Sequence, residues 1–143
     1  MYSRDFLDHV NARVHPMHAC DPDAYQRELR SVFGEGMPRL DLVFLGLGPD
    51  GHTASLFPGK PALEVEDRLV TYVPEPGLPP PHPRMTMTLP VLRAAKLVTF
   101  LVSGEDKRER VEELLSGGDI PAAKVTAERV IVLGDPPAAE GLE

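Results

Sequence analysis

The apolar residues of the chain form short, strand-length runs. Between these runs lie segments in which apolar residues recur at the spacing of a helix. The runs DLVFLGLG (41–48) and AKLVTFLVSG (95–104) are unbroken and lack alternation, which is typical of strands covered on both faces in a parallel sheet. We expect the first run to form the centre of that sheet. Further strands are predicted at RLVTYV (68–73), RMTMTL (84–89) and RVIVL (129–133).

Two helices are predicted between these strands. Asp21 followed by proline is a helix start, and apolar residues recur at helical spacing through Pro22–Phe33 until Gly34. The second helix covers EDKRERVEELLSGG and follows Ser103, which with Asp106 resembles a capping box. Strands alternating with helices predict an α/β protein with a Rossmann-like layered fold, in which helices flank a mostly parallel sheet.

The length of 143 residues indicates one domain, residues 1–143, and the segment 134–143 is expected to be a frayed tail. The proline-rich stretch PEPGLPPPHP (74–83) predicts a stiff, extended linker on the surface. In RMTMTL, polar and apolar residues alternate, so Met85 and Met87 are predicted to face the core.

The charge balance limits the classes of partner. With 15 basic and 22 acidic residues the net charge is -7, which is the wrong sign for binding a nucleic acid backbone. No apolar run reaches the roughly 18 residues of a membrane helix, so no membrane partner is expected. An anionic substrate would have to be held by local donors, such as helix N-termini and single basic side chains.

A single cysteine, Cys20, cannot form an internal disulfide, and the chain start lacks a signal-peptide pattern, so a cytoplasmic location is expected. Cys20 lies close to His15 and His18, but no further ligand pair with metal-site spacing is visible. We therefore expect neither a metal nor another cofactor.

The run LGLGPDGHTASLFPG follows the first buried strand and contains the most informative residues. Gly46, Gly48 and Gly51 formally satisfy the dinucleotide-binding fingerprint G-x-G-x-x-G. However, Pro49 removes a backbone donor from the loop, and Asp50 would place a carboxylate where a pyrophosphate should lie. A dinucleotide-binding loop is therefore disfavoured.

The same run offers proton-transfer chemistry instead. It delivers Asp50, Gly51 and His52 to the carboxyl edge of a parallel sheet, where open α/β folds bind ligands. A short helical turn predicted at 53–57 would place His52 at its positive end, so the imidazole is expected to be neutral and able to accept a proton from water. Taken alone, the triplet also fits a structural role, with Asp50 capping the turn and His52 covering the edge of the core.

This run resembles the signature of the 6-phosphogluconolactonase family, within the glucosamine-6-phosphate isomerase/6-phosphogluconolactonase superfamily. The similarity continues into PRMTMTLPVLRAAKLVTFLVSGEDK, which is similar to the family's Arg-x-Thr strand and the Ser/Thr-Gly-x-x-Lys turn after the next strand. The resemblance implies hydrolysis of 6-phospho-D-glucono-1,5-lactone in the oxidative pentose phosphate pathway. In that reaction His52 would activate the water, with Asp50 as its acidic neighbour.

The resemblance also implies a sugar-phosphate site. Arg84 and Lys107 are candidates for holding the 6-phosphate, and Gly46, Gly48 and Gly51 for contacting the substrate and stabilising its oxyanion through backbone donors. Independent of the resemblance, a phosphate at the N-terminus of the helix after SG (103–104) would meet free backbone donors.

The family usually begins with a further stretch that carries a phosphate loop, and the present sequence resembles the portion after it. We therefore expect a shortened sheet with an exposed edge, which a second copy of the chain could cover. Two alternatives stay open: a phosphosugar isomerase or deaminase of the same fold, such as glucosamine-6-phosphate deaminase, and a non-catalytic sugar-phosphate-binding remnant. The letters HTASLFP resemble the lactonase more than the deaminase.

Overall fold

The computed structural model describes residues 9–17, 21–77 and 82–139. Its helices and strands, in chain order, are α1 (Pro22–Phe33), β1 (Val43–Gly46), β2 (Val70–Val73), β3 (Arg84–Met87), α2 (Leu89–Arg93), β4 (Leu97–Val102), α3 (Arg108–Ser116), β5 (Arg129–Gly134) and α4 (Pro136–Ala139). Short 3₁₀ turns lie at Pro61–Glu64, Glu105–Lys107 and Pro121–Lys124.

The main sheet has three parallel strands in the order β1-β4-β5, as predicted for an α/β fold. Leu45 of β1 is in register with Phe100 of β4, which is in register with Val132 of β5. Among the described strands β4 is therefore the central one, and the prediction that β1 is central was wrong for this part of the sheet. An apolar run concerns the two faces of a strand and carries no information about the strand's neighbours in the hydrogen-bonding direction.

Among the described residues, one face of this sheet packs on the core and the other carries exposed apolar side chains. Leu45, Val98 and Phe100 face a buried cluster that also contains Phe57 and Ile120. On the opposite face, within the part of the chain that the structure describes, Phe44 is 61% exposed, Leu101 52% and Leu133 55%. The expected covering of both faces is therefore not observed for the described residues.

Strands β2 and β3 form a separate antiparallel pair, with Val70 in register with Met87. Met85 and Met87 pack against the buried clusters, as predicted, but are only partly buried, whereas the alternating Thr86 and Thr88 are buried as well. The buried hydroxyls are satisfied: Thr86 Oγ1 accepts a hydrogen bond from the Ser55 amide, and Thr88 Oγ1 donates to the Arg68 carbonyl. A threonine with its hydroxyl bonded can occupy a core position, so alternation alone did not decide the face.

The first helix agrees with its sequence signals. Asp21 Oδ1 accepts a hydrogen bond from the Ala24 amide at 3.0 Å, proline occupies the first turn, and Gly34 follows the last residue with a φ of +82°. Tyr25 and Leu29 of α1 pack with Leu69 and Val70 in a second buried cluster. The short helix α2 was not predicted from the sequence.

The segment after β4 differs from the prediction at its start. The capping box is absent, because the Ser103 hydroxyl donates to Asp135 Oδ2 at 2.6 Å and the turn Glu105–Lys107 precedes α3 without a side-chain cap. Residues 134–139, predicted as part of a frayed tail, continue the fold. The Asp135 amide donates to the Val102 carbonyl, and Ala138 is fully buried; residues 140–143 lie outside the described part.

Within the described residues, no helix is long and apolar enough to cross a membrane, and no group of three metal-ligating side chains converges. His18 and Cys20, and residues 78–81 of the proline-rich stretch, lie outside the described part.

Candidate active site

The loop that follows β1, hereafter the His52 loop (residues 47–57), is stabilised by hydrogen bonds within its own backbone. The Gly48 amide donates to the His52 carbonyl at 2.8 Å, and the Gly51 amide donates to the Gly48 carbonyl at 3.0 Å. The Ala122 amide, from a neighbouring 3₁₀ turn, donates to the Gly51 carbonyl at 3.0 Å. The amides of Gly48 and Gly51 are thus engaged within the loop, which corrects the prediction that they would be free to stabilise an oxyanion.

The helical turn predicted at 53–57 does not form. Thr53 and Leu56 make an isolated antiparallel bridge, and Ala54 between them has a φ of +50°, in the left-handed region. Thr53 Oγ1 donates to the Gly46 carbonyl at 2.8 Å, which ties this tight turn to the end of β1. The helix dipole that was predicted to act on His52 is therefore absent from this segment.

The direct partner of His52 is Asp50. His52 Nδ1 lies 2.5 Å from Asp50 Oδ1, and the same oxygen accepts the His52 amide at 3.1 Å. Partial burial raises the pKa of Asp50, but the hydrogen bonds that its carboxylate accepts from the His52 side chain and amide outweigh this effect, so the pKa lies below its ordinary value. An ionised carboxylate only accepts, so this contact places a proton on Nδ1; in the neutral tautomer with that proton, the lone pair is on Nε2.

Two contacts fix the plane of the His52 ring. The ring lies 4.3 Å from the fully buried ring of Phe57, tilted by 32°. It also packs directly on Gly48, where a Cβ atom would overlap Nδ1 and Cε1. The absence of a side chain at Gly48 therefore makes room for the imidazole rather than for a ligand.

The other two glycines of the motif have different surroundings. Gly51 has a φ of +80°, and a Cβ there would lie 2.6 Å from Ile120, so this glycine is required by the fold. A Cβ added at Gly46 would have nothing within 4 Å, and this glycine lines the cavity described next.

His52 lines an open cavity of about 530 Å³ at the carboxyl end of β1. Its wall combines the end of β1, the His52 loop and one basic side chain: Phe44, Leu45, Gly46, Leu47, Gly48, Pro49, His52, Thr53, Ala54 and Lys107. Lys107 is largely buried, with 18% of its side chain exposed, and its Nζ lies 3.3 Å from Asp106 Oδ2. Of the predicted site residues, His52 and Lys107 thus share the wall of one cleft, and Asp50 contacts His52 from outside that wall.

Arg84 is placed differently from the other predicted residues. Its guanidinium carbon lies 5.9 Å from the centroid of the Phe57 ring, the ring that also contacts His52. Among the described residues Arg84 is not part of the cavity wall, and neither Asp50 nor Gly51 is. Arg84 is therefore adjacent to the site through Phe57.

The turn that carries Lys107, hereafter the Lys107 turn (residues 103–107), also corrects an expectation. The Gly104 amide, predicted to be free for a phosphate, donates to both oxygens of the Asp135 carboxylate at 3.1 and 3.2 Å. Asp135 was missed because it was assigned to the tail. Its signal was nevertheless present, since Asp135-Pro136 repeats the Asp-Pro helix start that correctly predicted α1.

Comparisons with known proteins agree on one family. The family model described as glucosamine-6-phosphate isomerases/6-phosphogluconolactonase matches residues 1–133. The 6-phosphogluconolactonase of Rattus norvegicus is 45% identical over 104 residues, which cover 71% of this chain and 40% of the rat protein.

Two solved structures have the same fold. The crystal structure of 6-phosphogluconolactonase from Leishmania guyanensis is 29% identical with a TM-score of 0.70, covering 85% of this chain and 52% of that one. A monomeric glucosamine-6-phosphate deaminase is 27% identical with a TM-score of 0.63, covering 85% of this chain and 56% of that one. The chain spans about half the length of the relatives that it matches.

These matches confirm the predicted fold class and the resemblance that the LGLGPDGHTASLFPG motif carried. The chain belongs to the glucosamine-6-phosphate isomerase/6-phosphogluconolactonase family.

Proposed function

We propose that the chain hydrolyses 6-phospho-D-glucono-1,5-lactone to 6-phosphogluconate, with His52 as the general base. The observation that carries the proposal is the 2.5 Å contact between Asp50 and His52 on a cleft that also contains Lys107. The names of the rat and Leishmania relatives support this substrate. The reaction belongs to the oxidative pentose phosphate pathway.

The chemistry follows from the tautomer that Asp50 selects. Nε2 of the neutral imidazole accepts a proton from a water molecule, and the resulting hydroxide attacks the lactone carbonyl at C1. The C1–O5 bond of the tetrahedral intermediate then breaks, and the imidazolium returns its proton to the departing ring oxygen. Asp50 stabilises the imidazolium between these steps and keeps Nδ1 protonated. The sum is one lactone and one water giving one hydroxy acid.

Lys107 is the residue proposed to hold the 6-phosphate. Its Nζ is a cation at the wall of the same cleft, and a lysine binds phosphate as a point charge. Since the net charge of the chain is -7, this local cation has to provide the attraction that the overall field does not. Arg84 is proposed as a second contributor, although its present contact is with Phe57.

The test is lactone hydrolysis by the purified chain, corrected for spontaneous ring opening. His52→Ala should lower kcat by about 10²- to 10⁴-fold, the usual contribution of a general base. His82→Ala, which removes an exposed histidine, is the matched control and should leave the rate unchanged. Full activity in His52→Ala would remove His52 from the mechanism.

A second candidate is a sugar-phosphate-binding module without catalysis. It is supported by the Gly48 and Gly51 amides, which are engaged within the His52 loop and so are not available to stabilise an oxyanion. Calorimetry with 6-phosphogluconate separates the two: binding without hydrolysis supports the module. Release of ammonia from glucosamine 6-phosphate would instead support a deaminase.

We further propose that two copies of the chain associate through the open side of β1. Among the described strands β1 pairs only with β4, so one of its edges is unpaired, and Phe44 on this strand is 61% exposed. Leu101 and Leu133 extend the same apolar face. Unpaired edges and apolar patches of this kind favour association.

Sedimentation equilibrium tests the association. The chain should be dimeric at micromolar concentration, and Phe44→Lys should shift it to monomer. Leu115→Lys, at an equally exposed leucine on α3, is the control and should leave the dimer intact. A monomer at all concentrations would contradict this proposal. The proposed location of the enzyme is the cytoplasm, on the ground of the single cysteine.

A further inference from the structure

The carboxylate of Asp135 is the acceptor for three donors at the carboxyl edge of the sheet. It receives the Ser103 hydroxyl at 2.6 Å, the Gly104 amide at 3.1 and 3.2 Å, and the Ala138 amide at 3.1 Å. Two of these donors belong to the Lys107 turn and the third to α4. The carboxylate therefore joins the end of β4 to the end of β5.

Asp135 is itself held by the backbone. Its amide donates to the Val102 carbonyl at 3.2 Å, and its carbonyl accepts the amides of Ala138 and Ala139 at 3.1 Å. The buried side chain of Ala138 anchors this helical turn in the core. A carboxylate with a fixed backbone is a stronger constraint on a neighbouring turn than a mobile surface side chain, because less entropy is lost when its hydrogen bonds form.

The Lys107 turn depends on this constraint. Gly104 has a φ of +101°, and the Lys107 amide donates to the Gly104 carbonyl at 3.1 Å. The 3₁₀ turn that ends at Lys107 has no side-chain cap of its own. The position of the Gly104 peptide therefore sets where Lys107 begins, and Lys107 reaches the wall of the His52 cavity from there.

The charge of Asp135 suits this task. The hydrogen bond from Ser103, followed by that from the Gly104 amide, lowers the pKa of Asp135 below its ordinary value. The ionised carboxylate, which can only accept hydrogen bonds, is therefore favoured at this position. It occupies the amide that would otherwise be available to an anion at this turn.

We propose that Asp135 is a positioning residue for phosphate binding: by holding Ser103 and Gly104, it keeps Lys107 at the His52 cavity. The expected effect on substrate binding rests on the proposed function. The expected effect on the position of Lys107 rests only on the geometry of the Lys107 turn. Asp135 contacts no residue of the His52 loop through the hydrogen bonds described, so its effect should reach binding of the phosphate and leave proton transfer unchanged.

The structural consequence is tested without substrate. In Asp135→Asn, amide hydrogen exchange at Gly104 and acetylation of Lys107 by acetic anhydride, read by peptide mass spectrometry, should each accelerate about 10-fold, the equivalent of one charged hydrogen bond. Asp41→Asn is the matched control, because Asp41 is an exposed carboxylate bonded to Lys96 at the opposite end of the strands. Unchanged exchange and acetylation in Asp135→Asn would overturn the proposal.

The kinetic consequence is a split between two substrates. Asp135→Asn should raise KM for the phosphorylated lactone about 10-fold with kcat retained, and should leave hydrolysis of unphosphorylated glucono-1,5-lactone unchanged. Equal losses on both lactones would show a general structural defect and contradict the proposal. Ser103→Ala, which removes one donor, should give a smaller shift in the same direction and serves if Asp135→Asn folds poorly.

The two proposals fail separately. If the wild-type chain neither hydrolyses the lactone nor binds 6-phosphogluconate, the proposed function fails, and the exchange and acetylation data still decide the role of Asp135. If the wild-type chain is active and Asp135→Asn matches it in every measurement, only the positioning role fails.

Discussion

The His52 loop and the Lys107 turn lie at the same edge of the sheet but are held in different ways. The His52 loop is fixed by its own residues, since Asp50 binds the imidazole and Gly48 gives it room. The Lys107 turn is held by Asp135, which follows β5 and is distant in the sequence. The comparison shows that one site can combine a segment stabilised by local contacts with a segment stabilised by a residue distant in the sequence.

Substitutions in the two segments should have different effects. A change inside the His52 loop alters the orientation of the base directly, because the contacts that orient it lie within residues 48–57. A change at the Lys107 turn moves a charge that attracts the substrate and leaves the base in place. The two segments should therefore separate into effects on kcat and effects on KM.

Among substitutions that leave His52 itself in place, Gly48→Ala should have the largest combined effect on rate and stability. A Cβ at this position overlaps the His52 ring, so the imidazole must rotate away from Asp50. We expect kcat to fall at least about 10-fold because displacement of a catalytic group by about 1 Å is costly, and stability to fall by about 1–3 kcal/mol. Steady-state kinetics and urea unfolding measure the two effects.

Gly46→Ala is the control for this substitution. Nothing lies within 4 Å of a Cβ at Gly46, so the variant should keep kcat within about 3-fold of wild type. Equal losses of kcat in the two alanine variants would contradict this explanation. They would show that kcat falls with any side chain added in this region, and not specifically with one that displaces the imidazole.

The next effect is that of Lys107→Ala. Loss of a cation from the cleft should raise KM for the phosphorylated lactone by about 10- to 100-fold, the value of a hydrogen bond to a charged group, with kcat less affected. Lys96→Ala, at the amino ends of the strands, should leave KM unchanged. A fall in kcat alone would assign Lys107 to the chemical step.

The smallest effect is that of Ala54→Gly. Ala54 has a φ of +50°, which costs a residue with a Cβ about 1–2 kcal/mol, and part of this is recovered by glycine. We expect a gain of about 0.5–1 kcal/mol in the free energy of unfolding. Ala94→Gly, at a position with a φ of -74°, should lose about the same amount, and urea unfolding of both variants checks the sign.

The sequence predicted the parts of the structure whose causes are local. The helix α1 was predicted with its bounds because Asp21, Pro22 and Gly34 each act within one turn. The resemblance implied that Asp50 is the acidic neighbour of His52, and the contact between them is also local, since one glycine separates the two residues.

What the sequence could not predict depends on residues far apart in the chain. The strand order placed β4 at the centre, and no pattern within β1 contains that information. The buried facing of Thr86 depends on the Ser55 amide, 31 residues away. Asp135 and Ser103 are 32 residues apart, and only the pairing of β4 with β5 brings them into contact.

The central claim is that Asp50 holds the neutral His52 ring with Nδ1 protonated and Nε2 free to accept a proton. The most direct measurement is the ¹⁵N NMR spectrum of the His52 imidazole under conditions where the ring is neutral, with Asp50→Asn beside the wild type. The account predicts the Nδ1–H tautomer in the wild type and a loss of that preference in Asp50→Asn. A wild-type ring protonated at Nε2 would contradict it.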